Sequence, residues 1–173
     1  MTTEPTSTRF ARFPPGYGEP ETLGDALPWS FVQERLRSAP NYWLATVTPS
    51  GRPHARPVDG VWVDGALCFG GSDKARWVRH LTANPAASVH LASNNDVVIL
   101  EGEAHFITDD QHPLAGPSAA ASRAKYPQYF SDASPTFQPF WLLRPSTAYA
   151  WTLDGFPRGA ARWTFSPARP SRR

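Results

Sequence analysis

From Tyr42 onward the apolar residues fall in short runs separated by turn formers, the pattern of strands rather than long helices. Tyr42–Val47 is a run of β-formers turned back by Pro49-Ser50-Gly51. A second extended segment runs from His54 to Val63 and meets Asp64-Gly65, the strongest two-residue hairpin signal in the chain, which returns it into Ala66–Gly70. The spacing then changes. Ala75, Val78 and Leu81 recur at helical intervals and predict a helix from Ser72 or Asp73 to about Asn84. Asn84-Pro85 ends it, because proline lacks an N–H and the residue before it resists helical angles. Ala86–Leu91, a turn at Asn94–Asp96 and a long strand over Val97–Ile107 complete the central pattern.

The flanks are less regular. Residues 1–27 are rich in Pro, Thr, Gly and Glu and read as a flexible arm. A short helix follows, with Pro28 near its first turn and Trp29, Val32 and Leu36 on one face. Residues 108–135 break the strand pattern around an alanine-rich piece, Ser118–Lys125, which reads as a helix between loops. Strand character returns at Phe137–Leu143, Thr147–Leu153 and Ala161–Phe165, and residues 166–173 form a basic tail. The expectation is one domain over 28–165. It is mainly β, an antiparallel barrel of six or seven strands with two or three flanking helices.

At 173 residues and 40% hydrophobic content the chain can supply one core. Seven Trp, ten Phe and five Tyr exceed what one small barrel is expected to bury, which predicts a homodimer. A net charge of +2 gives no basis for nucleic-acid binding in bulk. The single cysteine, Cys68, excludes an internal disulfide, and its apolar neighbours predict a buried, inert thiol. No apolar run is long enough for a bilayer span and the N-terminus lacks a hydrophobic signal region, so a soluble cytoplasmic protein is expected. The five histidines show no metal-ligand spacing, and no metal is expected. No Gly-x-Ser-x-Gly elbow, P-loop or His-Glu-x-x-His is present, which leaves hydrolase and NTPase readings without a motif.

Candidate chemistry gathers at the strand-to-helix step Gly70-Gly71-Ser72. Glycines allow close backbone approach, and a helix start offers unpaired N–H groups and partial positive charge. Lys74, Arg76 and Arg79 add formal charge within two turns. His54 and Arg56 alternate along their strand and point the same way, so Arg56 either reaches a ligand phosphate or pairs with a surface carboxylate.

The order and spacing of YWLATVTPSGRPHARPV, GVWVDGALCF, RHLTANPAASVHL, VVILEGEAHFITD and AARWTF resemble the pyridoxamine 5′-phosphate oxidase-like split-barrel superfamily, whose small members bind FMN or the deazaflavin F420. The resemblance covers about residues 40–110 and 137–165. It implies a homodimer with two cofactor sites at the interface. Arg56-Pro57-Val58 would lie along the flavin ring, and Phe69-Gly70-Gly71-Ser72 with the next helix start would hold the ribityl phosphate. Arg162-Trp163 would approach the cofactor, often from the partner chain. A lysine that many relatives use for the phosphate falls on Trp77 here, leaving Lys74, Arg76 and Arg79 as the cations able to replace it. Ser72, Arg56 and Arg76 are the expected anion ligands. The resemblance implies a flavin-type oxidoreductase, FMN ahead of F420. The alternatives are a non-catalytic protein holding a flavin, haem or other planar ligand, or a dimer whose site is empty. Oxidation of pyridoxamine phosphate itself is not expected, because residues 108–135 offer no counterpart to that substrate's phosphate ligands.

Overall fold

The computed structural model describes residue 5, the backbone of residues 7–10, and residues 26–166. The expected basic tail and most of the expected arm therefore lie outside the described residues. Among the described residues nine strands form one antiparallel sheet: β1 (Ser7–Phe10), β2 (Tyr42–Val47), β3 (Pro53–Val58), β4 (Gly60–Val63), β5 (Ala66–Phe69), β6 (Ala86–His90), β7 (Asp96–Ile107), β8 (Phe140–Thr152) and β9 (Ala161–Thr164). The helices are α1 (Trp29–Ser38), α2 (Arg76–Ala83) and α3 (Ala115–Lys125). This is the mainly β split barrel expected, with more strands than the six or seven counted. Within the arm region, Ser7–Phe10 pairs with Ala161–Thr164 as an edge strand.

The two long strands, β7 and β8, form the middle of the curled sheet. β7 pairs with β8 along its whole length, while the two halves of β8 pair with β5 and β9 respectively. The sequence predicted two strands, Phe137–Leu143 and Thr147–Leu153. The structure instead runs one strand through Pro145, absorbing it at a bulge opposite Glu101 and Gly102. The hairpin at Asp64-Gly65 forms as predicted, with positive φ at both residues (47° and 74°), the geometry of a turn that matches strand twist.

Side chains alternating inward from the curled sheet make the main core. Tyr42, Leu44, Leu67, Val89, Val98, Leu100 and Leu143 have no exposed surface. Helix α1 covers one end and buries Trp29, Val32 and Leu36, the face its sequence predicts. It is tied down by the Tyr42 hydroxyl donating to the Leu36 carbonyl (2.5 Å) and by Arg35 Nε on the Asp96 carboxylate (2.9 Å). A second apolar cluster, including Val61, Cys68, Leu114, Phe140 and Leu142, lies under α3. Among the described residues no helix is long and apolar enough to cross a membrane.

The helix after β5 starts later than predicted, at Arg76 rather than Asp73. Residues 72–75 close a tight turn first: the Ala75 N–H donates to the Ser72 carbonyl (2.9 Å), and the Lys74 N–H to the Ser72 hydroxyl (3.2 Å). Ser72 thus supports that turn, and the residue at the helix cap is Ala75, which has no side chain able to accept the free N–H groups.

Candidate functional site

Strand β3 is the open edge of the split barrel, and its register with β2 fixes what it presents. Val58, Arg56 and His54 lie opposite Tyr42, Leu44 and Thr46, so they share the inward face. Pro57 lies opposite Trp43 and points the other way. Arg56 and Pro57 are exposed and Val58 is buried. Helix α2 packs against β2, with Arg76 and Arg79 exposed and His80 buried.

Between them lies a histidine pair. The His54 and His80 rings meet edge to face at 5.0 Å, and His80 Nδ1 shares a 3.0 Å hydrogen bond with the Thr46 hydroxyl. Among the described residues neither ring nitrogen of His54 has a hydrogen-bond partner, and neither has exposed surface, although the residue as a whole is only half-buried. Burial lowers the pKa of His54 below the usual imidazole range; His80, Arg76 and Arg56 lower it further. His80 is lowered by burial and by Arg76 and Arg79. The pair is therefore neutral near pH 7, and the formal charge of this corner resides on Arg56, Arg76 and Arg79.

The strand-to-helix step has a different character. Phe69 is buried; Gly70, Gly71, Ser72 and Lys74 are exposed. Trp77, on the first turn of α2, is buried against Phe69 (ring centroids 5.6 Å) and Trp141 (6.1 Å). A Cβ built on Gly71 would lie 2.7 Å from the Trp77 ring, so the indole fills the space beside that glycine. A phosphate fits these residues only in part. The Gly71 side of the step is closed by the indole, while the exposed Arg56 and Arg76 beside the orphaned His54 nitrogens offer an anion two guanidinium forks. Arg162 is half-exposed over the Tyr149 ring (5.8 Å), whereas Trp163 is completely buried against Trp29 (5.3 Å). The structure does not bring Trp163 to the surface where Arg56 and Arg76 lie.

A feature the sequence reading missed sits on the other side of the same step. Gly70 and Gly71 also line a cavity of about 290 Å³ beneath α3. Its further walls include Tyr126, Phe130 and Phe140, with Ser118 and Ser122 one helical turn apart on α3. The fourfold spacing Ser118, Ser122, Tyr126 was the available signal. Tyr126 fixes the cavity floor to the β3–β4 bend: its hydroxyl accepts the Gly60 N–H (3.0 Å) and lies 2.9 Å from both the Pro40 and Gly60 carbonyls. Lys125 donates to the Gly60 carbonyl (2.8 Å) and the Tyr42 hydroxyl (3.3 Å), and burial brings its pKa down to about 8 against the opposing pull of Asp59. Cys68 lines the cavity too, but burial pushes its thiol up to about 12, so it is no nucleophile near neutrality.

Comparison with known proteins bears on the fold and the family. A pyridoxamine 5′-phosphate oxidase-related FMN-binding protein from Nostoc punctiforme superposes with a TM-score of 0.55 at 22% identity, over 83% of this chain and 98% of that one. An F420 reductase superposes at 0.52 and 20% identity, over 66% and 94%. The haem storage protein of Vibrio cholerae does so at 0.56 and 18% identity, over 67% and 88%. These likenesses establish the fold. No curated protein matches the sequence. Residues 30–152, which run from α1 to the end of β8, match the sequence model of the pyridoxamine 5′-phosphate oxidase family, and the chain belongs to that family.

Proposed function

We propose that this chain is a cytoplasmic flavin-dependent oxidoreductase, using FMN in preference to F420 and acting on a small molecule in the cavity beneath α3. One observation carries the reading: the Phe69–Gly71 link forms a wall of the cavity and also leads into the turn before α2, where Arg76 stands exposed. A flavin bound along this link would supply hydride or electron transfer to a molecule in the cavity. The anionic tail would be held by Arg56 and Arg76, with Ser72, Lys74 and Arg79 contributing at the rim. Arg56 and Arg76 offer bidentate hydrogen bonds, and because the histidine pair beneath them is neutral, the guanidinium groups are the charge that meets the anion. Phe69 and Val58 are the apolar groups beside the site, and Tyr126 with Lys125 holds the bend that carries Asp59 and Gly60. That relatives of this fold include an FMN-binding protein and an F420 reductase supports the cofactor class.

We also propose a homodimer. The outward face of β2 and β3 is apolar: Val47 is 36% exposed, and Trp43 and Ala45 are half-buried opposite Pro57 and Ala55. A specific dimer would bury well over roughly 1,000 Å². Arg162 is then the half-exposed cation on β9 that a partner's cofactor could meet.

Trp77 favours one other reading, a non-catalytic protein that holds a flavin, haem or other planar ligand. Titration of the purified chain with FMN, F420 and haem, followed by reduction of any bound flavin, separates the two. A bound flavin that can be reduced and then reoxidised by a small acceptor supports the enzyme. A bound chromophore with no turnover supports the carrier.

A further inference from the structure

The cavity beneath α3 has a definite chemistry, and its charged groups are few. Among the described residues, Asp59 and Arg123 are the formally charged side chains that line it. Arg123 is engaged: Nη2 donates to the carbonyls of Ser134 (3.1 Å) and Pro135 (2.8 Å), and the guanidinium lies over the Phe130 ring at 4.9 Å. Those bonds hold the 130–136 segment against α3, so turning Arg123 towards a ligand phosphate would release part of the cavity wall. Lys125 is directed elsewhere, onto the Gly60 carbonyl and over the Tyr42 and Tyr126 rings. Asp59 is exposed. Further polar lining includes Ser118, Ser122, Thr136 and Gln138, while Phe69, Tyr126, Tyr129, Phe130 and Phe140 supply flat aromatic surface.

We infer that this cavity binds a flat aromatic molecule that is uncharged or positively charged, and that it discriminates against the phosphorylated class of substrate from which the family takes its name. Aromatic walls stack an aromatic ring, and with Arg123 engaged by two carbonyls the Asp59 carboxylate at the rim favours donors and cations. A volume of about 290 Å³ lies at the small end of ligand pockets and suits one or two fused rings. A phosphate ester would have to displace Arg123 from two carbonyls or meet the repulsion of the Asp59 carboxylate, the nearby Lys125 being already committed to the Gly60 carbonyl. The inference rests on the proposed reading of this cavity as the substrate chamber; it does not depend on which cofactor binds beyond the Phe69–Gly71 link.

Three probes that share a ring and differ in charge test it on the full chain: tyramine, phenol and phenyl phosphate, followed by saturation-transfer NMR and by competition. Tyramine and phenol should bind and displace one another, with phenyl phosphate at least tenfold weaker. Ser122→Phe, which fills the cavity from α3, should remove tyramine and phenol binding. Asp59→Asn, an exposed change that leaves the packing alone, should weaken tyramine several-fold and leave phenol unchanged. Phenyl phosphate binding as well as tyramine would overturn the inference. So would failure of both other probes to bind, or an unchanged tyramine affinity in folded Ser122→Phe and in Asp59→Asn. An FMN titration run in parallel keeps the two readings apart. Tyramine binding without FMN binding contradicts the flavin proposal alone, and FMN binding with the wrong probe order contradicts this inference alone.

Discussion

The Trp77 indole lies across Gly71, close enough that a methyl group on that glycine would sit 2.7 Å from the ring. The ring is held by Phe69 and Trp141 and has little room to retreat. Gly71→Ala should therefore destabilise the fold by about 1–3 kcal/mol, the usual penalty for overpacking. Urea denaturation of the variant measures this. In a Trp77→Phe background the same change should cost markedly less, and equal costs in both backgrounds would show that the contact does not limit the site.

Stability should also depend on pH in a defined direction. The folded pKa values of His54, His80 and His112 lie below the ordinary value near 6.5, burial being the first cause for each. Below that value the unfolded chain binds protons that the folded chain refuses. Stability is therefore full above about pH 6.5 and falls as the pH drops towards the folded pKa values. The urea midpoint should fall between pH 7.5 and 5.5. Replacing His54 and His80 together with asparagine should flatten that dependence, leaving a smaller slope from His112. An unchanged slope in the double variant would mean the pair is already protonated or freely solvated.

Tyr126 is buried, and its hydroxyl carries the bend between β3 and β4. Tyr126→Phe leaves the Gly60 N–H without its acceptor, which costs about 1–3 kcal/mol. Because the ring remains, the cavity should keep its shape. A fall in thermal midpoint with intact tyramine binding is the expected outcome, and no change in midpoint would show that water replaces the hydroxyl.

Much of the barrel was legible in the sequence because its signals are local. Asp64-Gly65 forms the predicted hairpin, Asn84-Pro85 ends α2, and the stripe of Trp29, Val32 and Leu36 is the buried face of α1. The errors arose where tertiary context overrode local rules. The gap between Leu143 and Thr147 reads as a break, yet a bulge on β8 carries one strand through it. Ser72 reads as a helix cap, yet its hydroxyl and carbonyl close a turn of their own before Arg76. The site was only partly visible for the same reason. Arg56 and Arg76 could be nominated from charge and spacing, but the cavity joins residues 59–60, 68–71 and 118–140, which no periodicity links. Trp163 reads as an aromatic near a ligand and is in fact wholly buried beside Trp29.

The central claim is that an anionic flavin tail rests on Arg56 and Arg76, and titration of FMN into wild type and into the Arg56→Ala and Arg76→Ala variants tests it most directly. Both side chains are exposed, so the variants should fold. Loss of one charged hydrogen-bonding partner costs about 1.5–3 kcal/mol, roughly a ten- to hundredfold change in Kd. The account predicts saturable FMN binding by wild type, followed through quenching of flavin fluorescence, and a weakening of that size in each variant. Unchanged affinity in both variants, or no binding by wild type, would contradict it.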